Sequence, residues 1–371
     1  MPTRSSLYLI ILTSLTALTA AKNVTHITEC PSLTPRCKPT NVNDLRADDI
    51  KVIGALGDSI TTGFGIMGFD LSIPQLAAME NAKNEYRGLS YGIGGDKNAF
   101  TIPNYIEHYQ PNITGFSKGA HPVQTCNPDN CNRTLSLLGN GGDGLNAALT
   151  GATSMHLGYE LDYLIESMQN IQGIDFENDW KMINIQIGSN DMCGACNTSY
   201  VNEVTPEKYG GYIEAAIDRI HASVPNVIVN LISTFNVSQV FPLTEAYPNH
   251  CVNRNIDLCP CASVPGGLEI MSQLNNAYNE KLVQIYKKYQ KSKFHNFTVV
   301  YQPIKFNIPA FPIDFFSTLD CFHPSLKGHE WVSKVIWNQL FLPQSYKPKS
   351  IDFDGNQTIY CPVDSDRINA H

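Results

Sequence analysis

Short apolar runs alternate with longer amphipathic stretches along most of this chain. Four runs rich in β-branched residues predict buried strands at 50–56, 180–187, 226–232 and 297–303, and a weaker fifth run lies at 88–93. Apolar residues recur at helical spacing over about 143–170, 206–223, 268–292 and 325–340. This alternation predicts a three-layer α/β/α sandwich with a central parallel sheet of about five strands.

Two stretches interrupt the alternation. Residues 96–142 are rich in Asn, Gly and Pro, and residues 236–266 contain a cluster of cysteines. We interpret both as insertions at the rim of the sheet, since long connections of this kind run over the surface. The predicted organisation is therefore a signal peptide, an N-terminal extension, one large domain and a C-terminal tail, at 1–21, 22–45, 46–345 and 346–371.

The first 21 residues have the layout of a secretory signal peptide. Arg4 precedes an apolar stretch from Leu7, and small residues lead to a predicted cleavage site after Ala21. No later run reaches the length of a membrane span, and the C-terminal residues are polar, so neither a transmembrane segment nor a lipid anchor is expected. A net charge of −8 without a basic run argues against nucleic-acid binding. We expect a secreted, extracellular protein.

The eleven cysteines fit an oxidising compartment. Their spacing favours local bridges within the pairs Cys126/Cys131 and Cys193/Cys196, and an odd number leaves at least one thiol outside intramolecular pairs. A zinc site is disfavoured because no Cys/His group has the appropriate spacing. Seven Asn-x-Ser/Thr sequons are candidates for glycosylation: Asn23, Asn112, Asn132, Asn197, Asn236, Asn296 and Asn356.

Four polar turns follow the predicted strands or precede the last predicted helix. They are Gly57-Asp58-Ser59, "GIGGD" at 92–96, "GSND" at 188–191 and "DCFHPS" at 320–325. The first could be an ordinary turn at the end of a strand. In a doubly wound sheet, however, turns at the carboxyl ends of the strands converge where ligands bind. We therefore expect these four turns to meet.

The residue types in these turns match a serine nucleophile and its partners. A serine needs a base within hydrogen-bond reach and a group that orients the base, which His323 and Asp320 supply as catalytic residues beside Ser59. Donors for the oxyanion are the N–H groups of Ser59 and Gly95 (with Gly94 as the alternative) and the amide of Asn190. This mechanism needs no metal and no cofactor.

In this order, "GDSIT", "GGD", "GSND" and "DCFHPS" resemble the four sequence blocks of the SGNH or GDSL hydrolases, whose fold is flavodoxin-like. Within that superfamily the chain is most similar to the phospholipase B family. The resemblance implies the same catalytic and oxyanion residues. It also implies phospholipase A and lysophospholipase activity on phospholipid or lysophospholipid substrates, with transient contact with lipid surfaces.

Two other functions stay open at this point. The chain could be a carbohydrate or small-ester deacetylase on the same fold, or a non-catalytic secreted lipid-binding protein. The apolar stretch at 306–322 could form an acyl-chain groove or belong to the core. Cys321 lies between Asp320 and His323, and we expect it to pair with Cys361, the only cysteine downstream.

Overall fold

The computed structural model describes residues 22–70, 72–126, 131, 142–252, 258–291 and 294–369. The predicted signal peptide at 1–21 and the sequon at Asn132 lie outside the described residues.

The strands form one central parallel sheet and two small antiparallel pairs. In chain order they are β1 Lys22–Val24, β2 Ile50–Gly57, β3 Asn84–Glu85, β4 His121–Pro122, β5 Trp180–Gln186, β6 Val227–Ile232, β7 Phe297–Gln302 and β8 Ile359–Cys361. The central sheet has the order β2-β5-β6-β7, and nearly all of its residues are buried. The four strongly predicted strands are therefore confirmed.

The weak fifth strand is wrong. Residues 88–93 form a 3₁₀ turn at Arg87–Leu89 followed by further turns. The open edge of β2 is instead occupied by residues 145–149, which were predicted to begin a helix. Backbone hydrogen bonds join Leu149 N–H to Gly57 O, and Ala147 N–H to Ala55 O. Glycines at positive φ on both sides of this segment favour an extended course over a helix.

Nine α-helices are described, in chain order: α1 Ser59–Thr62, α2 Gln75–Asn81, α3 Ile102–Tyr109, α4 Leu157–Asn170, α5 Ser189–Gly194, α6 Pro206–Ser223, α7 Val240–Glu245, α8 Gly267–Lys291 and α9 Leu326–Leu340. Helices α4, α6 and α8 pack against one another along one face of the sheet, while α9 contacts α3 and β7 on the other. This gives the predicted three-layer sandwich. Among the described residues, no helix is long and apolar enough to cross a membrane.

The disulfides connect distant parts of the chain. Besides Cys126–Cys131, the structure contains Cys30–Cys361, Cys193–Cys259, Cys196–Cys261 and Cys251–Cys321. The local bridge within Cys193/Cys196 is wrong because both residues lie against the 236–266 insertion. The predicted Cys321–Cys361 bridge is also wrong, because β8 pairs with β1 and brings Cys361 to the N-terminal segment.

This connectivity can be tested by non-reducing peptide mapping. Cys37 is exposed and has no bonded partner in the structure, so it should alkylate without reduction. The other cysteines should appear as the five linked peptides given above. A Cys321–Cys361 peptide would contradict the structure.

Candidate active site

Ser59 is positioned by a tight turn at the end of β2. A side chain at Gly57 would place its Cβ 2.5 Å from the carbonyl oxygen of Gln186, so only glycine fits there. Asp58 is fully buried and accepts the Ile60 N–H at 3.0 Å, which caps α1. Burial raises the pKa of Asp58 to about 6. Ser59 therefore begins α1 with its hydroxyl at the carboxyl edge of the sheet.

His323 and Asp320 lie against Ser59. His323 Nε2 is 2.7 Å from Ser59 Oγ, and His323 Nδ1 is 2.6 Å from Asp320 Oδ2. All three side chains are buried. With the proton on Nδ1, the imidazole donates to the carboxylate and Nε2 accepts the serine hydroxyl proton. The structure thus brings together the three residues predicted from two distant parts of the sequence.

The Asp320 carboxylate is kept ionised in a buried place. Burial opposes its charge, but the charge of the His323 imidazole and its hydrogen bond outweigh burial and hold the pKa of Asp320 below its usual value. Its other oxygen accepts the backbone N–H groups of Phe322 (2.9 Å) and His323 (3.0 Å). These contacts close the turn and fix the direction of the imidazole.

Asn190 lies on α5, directly after β5. Its side-chain amide donates to the carbonyl oxygen of Ala152 at 2.8 Å, which places it beside the segment that follows residues 145–149. The neighbouring residue Asp191 accepts two hydrogen bonds from Ser154, from the backbone N–H and from the hydroxyl. Burial raises the pKa of Asp191 to about 6. Asp191 therefore connects α5 to the same segment.

Gly95 does not belong to this site. Its N–H donates to the carbonyl oxygen of Ser117 at 2.8 Å and is not directed at a substrate. The glycine lines a separate pocket with His26, Asp96 and Phe100. The alternative, Gly94, donates its N–H to Ser90 O in a tight backbone turn. The "GGD" block is thus a packing motif, and its assignment to the oxyanion site is wrong.

Gly151 is a candidate oxyanion donor that the sequence analysis did not identify. It follows the strand-like segment beside β2, has φ +86°, and precedes Ala152, whose carbonyl binds Asn190. Within the described residues, the N–H groups of Ser59 and Gly151 donate to no protein acceptor. The signal that could have located it is the turn "TGATS" after the apolar run at 145–149.

A buried arginine supports the segment that carries Gly151. Arg87 donates to the carbonyl oxygens of Asn146 (3.0 Å) and Ala148 (2.9 Å), and its charge is paired with Glu85 and Asp143. Glu85 also accepts the hydroxyl of Thr150 at 2.6 Å. Because these charges are buried, losing the arginine would leave the two carboxylates with His121, 2.7 Å from Asp143, as their cationic neighbour.

A disulfide joins the catalytic turn to the second insertion. Cys321 lies between Asp320 and His323 and has φ +57°, a conformation that residues other than glycine rarely adopt. Its bridge to Cys251, together with a hydrogen bond from Cys321 N–H to Ser317 O at 3.0 Å, keeps the backbone in this turn. The bridge thus contributes directly to the geometry of the candidate base.

An apolar cavity of about 930 Å³ opens beside the catalytic turn. Phe64 connects the two, since it lines the cavity and its ring lies 5.0 Å from the His323 ring, edge to face. The remaining lining is mostly apolar: Phe69, Ile73, Met79, Ala82, Val123, Val252, Leu258 and Leu319, with Gln75, Lys83 and Asp320. The phenylalanines at 306–316, by contrast, belong to the core. The core interpretation of the 306–322 stretch is therefore correct for these phenylalanines, while Leu319 of the same stretch lines the cavity.

One cluster of possible metal ligands is found among the described residues: Cys126, Cys131 and His156. The two sulfurs are bonded to each other, so they are not available as thiolate ligands. The cluster does not indicate a metal centre.

Comparison with known proteins identifies the family. The family model for GDSL-like lipase/acylhydrolase matches residues 53–336, and the chain therefore belongs to this family of carboxylic ester hydrolases.

Two curated relatives are named "Phospholipase B1, membrane-associated". The rat protein is 31% identical over 349 residues and the mouse protein 30% over 347, each match covering 90% of this chain and 22% of the relative. The chain thus spans about a fifth of their length. A solved acetylxylan esterase from Geobacillus stearothermophilus aligns at 13% identity and a TM-score of 0.31, covering 76% of this chain and 90% of that one. That likeness is too remote to indicate a substrate.

Alanine substitutions at Gly151 and Gly95 should distinguish an oxyanion donor from a packing residue. Gly151→Ala should lower kcat about a hundredfold with little change in KM, because alanine is strained at this φ and would displace an oxyanion donor. Gly95→Ala should mainly lower the melting temperature, because its Cβ would collide with the Phe116 ring. Steady-state kinetics and thermal unfolding measure both. A harmless Gly151→Ala beside a kcat loss in Gly95→Ala would contradict this assignment.

Removing the bridge beside the base should affect catalysis more than an equivalent bridge elsewhere. We expect Cys251→Ser/Cys321→Ser to lower kcat at least about tenfold in the folded enzyme, because small displacements of a catalytic group are costly. The control, Cys30→Ser/Cys361→Ser, should lower stability while leaving kcat near the parent value. Equal kcat losses in the two double variants would mean that Cys251–Cys321 has only a general stabilising role.

Proposed function

We propose that this chain is a secreted serine ester hydrolase that cleaves the acyl esters of phospholipids and lysophospholipids through Ser59. The observation that carries the proposal is the hydrogen-bonded series Ser59–His323–Asp320 beside an apolar cavity that Asp320 helps to line. Membership of the GDSL-like lipase/acylhydrolase family supports the chemistry, and the phospholipase B1 relatives support the lipid substrate.

The first half of the reaction forms an acyl-enzyme. Ser59 Oγ attacks the ester carbonyl carbon while His323 Nε2 takes the hydroxyl proton, and Asp320 stabilises the resulting imidazolium. The carbonyl oxygen becomes an oxyanion that receives the N–H groups of Ser59 and Gly151 and the amide of Asn190. The imidazolium then protonates the alcohol oxygen as the carbon–oxygen bond breaks, and the alcohol leaves.

The second half repeats these steps with water. His323 removes a proton from a water molecule, the hydroxide adds to the acyl carbon, and the same donors receive the oxyanion. Collapse of this intermediate returns the proton from His323 to Ser59 Oγ and releases the fatty acid. All groups in this cycle are side chains or backbone N–H groups of the chain itself.

The cavity favours a long acyl chain over an acetyl group. Its volume lies near the upper end of the range of about 300–1,000 Å³ typical of ligand pockets. Each buried methylene contributes about 0.8 kcal/mol of binding free energy, which an acetyl ester cannot gain. We therefore place phospholipid and lysophospholipid esters ahead of acetylated carbohydrates as substrates.

Secretion is supported by the disulfides and by the position of the sequons. Five of the predicted glycosylation sites have exposed asparagines: Asn23, Asn112, Asn197, Asn296 and Asn356. Asn236 differs, because it is half-buried, with its amide nitrogen donating to Ser272 Oγ at 3.3 Å and its oxygen accepting from Ser238 Oγ at 2.6 Å. We expect glycans at the exposed group and none at Asn236.

The nucleophile is tested with a fluorophosphonate probe and an ester panel. The secreted protein should be labelled at Ser59, and Ser59→Ala should lose labelling and nearly all turnover. On a panel of phosphatidylcholine, lysophosphatidylcholine and acetylated xylan, the lipids should be hydrolysed most efficiently. Preference for acetylated xylan would favour the deacetylase, while no turnover and no labelling would favour a lipid-binding protein.

The cavity is tested by filling it. Ala82→Trp should lower kcat/KM for a palmitoyl ester about tenfold or more and leave an acetyl ester of the same alcohol unchanged, because Ala82 lines the cavity but does not contact the triad. The matched control, Ala99→Trp, places the same bulk in the pocket that contains Gly95 and should change neither ester. Parallel losses on both esters would exclude the cavity as the acyl site.

A further inference from the structure

Exposed apolar side chains are concentrated in the segments that line the cavity. Of the twelve large hydrophobic residues exposed among the described residues, Met79, Val252 and Leu258 line the cavity. Two more, Leu76 and Met67, are close in the chain to the lining residues Gln75 and Phe69. We call this group the apolar rim. Leu76 is the most exposed of them at 72%, and Met67 is 50% exposed. Concentration of exposed apolar surface in one place is typical of an interaction site.

Helix α2 (Gln75–Asn81) exposes its large apolar side chains and buries a small one. Its buried side is formed by the small residue Ala78, while Leu76 and Met79 face solvent. A surface helix in water normally has the opposite distribution, with large apolar side chains facing inward. The helix thus presents its largest apolar groups outward, beside the opening of the cavity.

Thr318, in the loop that leads to Asp320 and His323, holds the two chain segments that form the rim. Thr318 Oγ1 accepts the Phe69 N–H at 2.9 Å on one side, and the Thr318 carbonyl accepts the Val252 N–H at 2.9 Å on the other. Thr318 precedes Asp320 by two residues. Hydrogen bonds to Thr318 therefore connect both sides of the rim to the loop that carries the candidate base.

The charges around the rim argue for a neutral partner. Among the described residues of 64–83, which carry most of the rim, the ionisable side chains are Asp70, Glu80 and Lys83, and together they are not basic. A polybasic surface would be needed to bind anionic lipid by charge. Apolar side chains around an opening that leads to an apolar cavity fit a zwitterionic lipid surface, into which they can insert at the level of the headgroups.

We infer that the apolar rim docks the enzyme on a zwitterionic phospholipid surface, so that an acyl chain passes from the lipid into the cavity without crossing water. This inference rests on the proposed function and specifies the face through which the substrate arrives. It also explains why large apolar groups remain exposed on a helix that could have buried them.

Binding is measured without turnover, in a Ser59→Ala background, by sedimentation with phosphatidylcholine vesicles. Met67→Ser/Leu76→Ser should lower the partition coefficient about tenfold or more, because both removed side chains would insert into the lipid. The matched control Ile270→Ser/Tyr346→Ser removes two exposed apolar residues elsewhere and should change partitioning little. Equal effects of the two double variants, or binding that requires anionic lipid, would overturn the inference.

Turnover distinguishes this inference from the proposed function. With Ser59 intact, Met67→Ser/Leu76→Ser should hydrolyse a soluble short-chain ester at the parent rate, because neither residue lines the cavity, and should hydrolyse vesicle phosphatidylcholine more slowly. An equal rate on vesicles would overturn the docking face while leaving the esterase intact. Absence of turnover on every ester in the parent enzyme would instead refute the proposed function, whatever the vesicle binding shows.

Discussion

The register of the strands beside β2 determines where the candidate catalytic groups lie. Gly57 pairs with Gln186 of β5 on one side, and its carbonyl accepts the Leu149 N–H on the other. Three chain segments therefore reach the carboxyl edge of the sheet at the same level. The residues that follow these ends carry the proposed nucleophile and two oxyanion donors: Ser59, Asn190 and Gly151. A shift of one residue in either pairing would turn these groups away from a common substrate carbonyl.

Periodicity predicted the four central strands because each is buried on both faces and is therefore continuously apolar. The same criterion failed for the segment at the free edge of β2. Residues 145–149 form a short segment with two alanines, and hydrogen bonds from Arg87 to its carbonyl oxygens hold it in place. These contacts come from a residue about sixty positions earlier and leave no local pattern. The proposed oxyanion glycine was missed for this reason: "GGD" had the expected letters, but Gly151 follows the segment that occupies the edge of β2.

Contacts between residues far apart in the chain were the hardest to predict, and disulfides were the hardest of these. The Ser59–His323–Asp320 grouping could be predicted because the chemistry restricts the residue types and because strand ends converge. Disulfides have no such restriction, since any two cysteines can pair once the fold brings them together. Cys321 pairs with Cys251 because the second insertion returns to the catalytic turn, which spacing along the chain does not encode. The apolar cavity was likewise missed, because most of its walls come from residues 64–83 and from both insertions.

In the proposed function, the loop at 317–323 connects the catalytic groups to the lipid surface. Its end carries His323 against Ser59, and its beginning, at Thr318, receives hydrogen bonds from both sides of the apolar rim. Contact of the rim with a lipid surface would therefore fix the orientation of the base relative to that surface. An enzyme for small soluble esters gains nothing from this coupling, because its substrate can approach from any direction. An enzyme whose substrate is anchored in a lipid layer needs it, since the ester arrives at one depth and in one orientation.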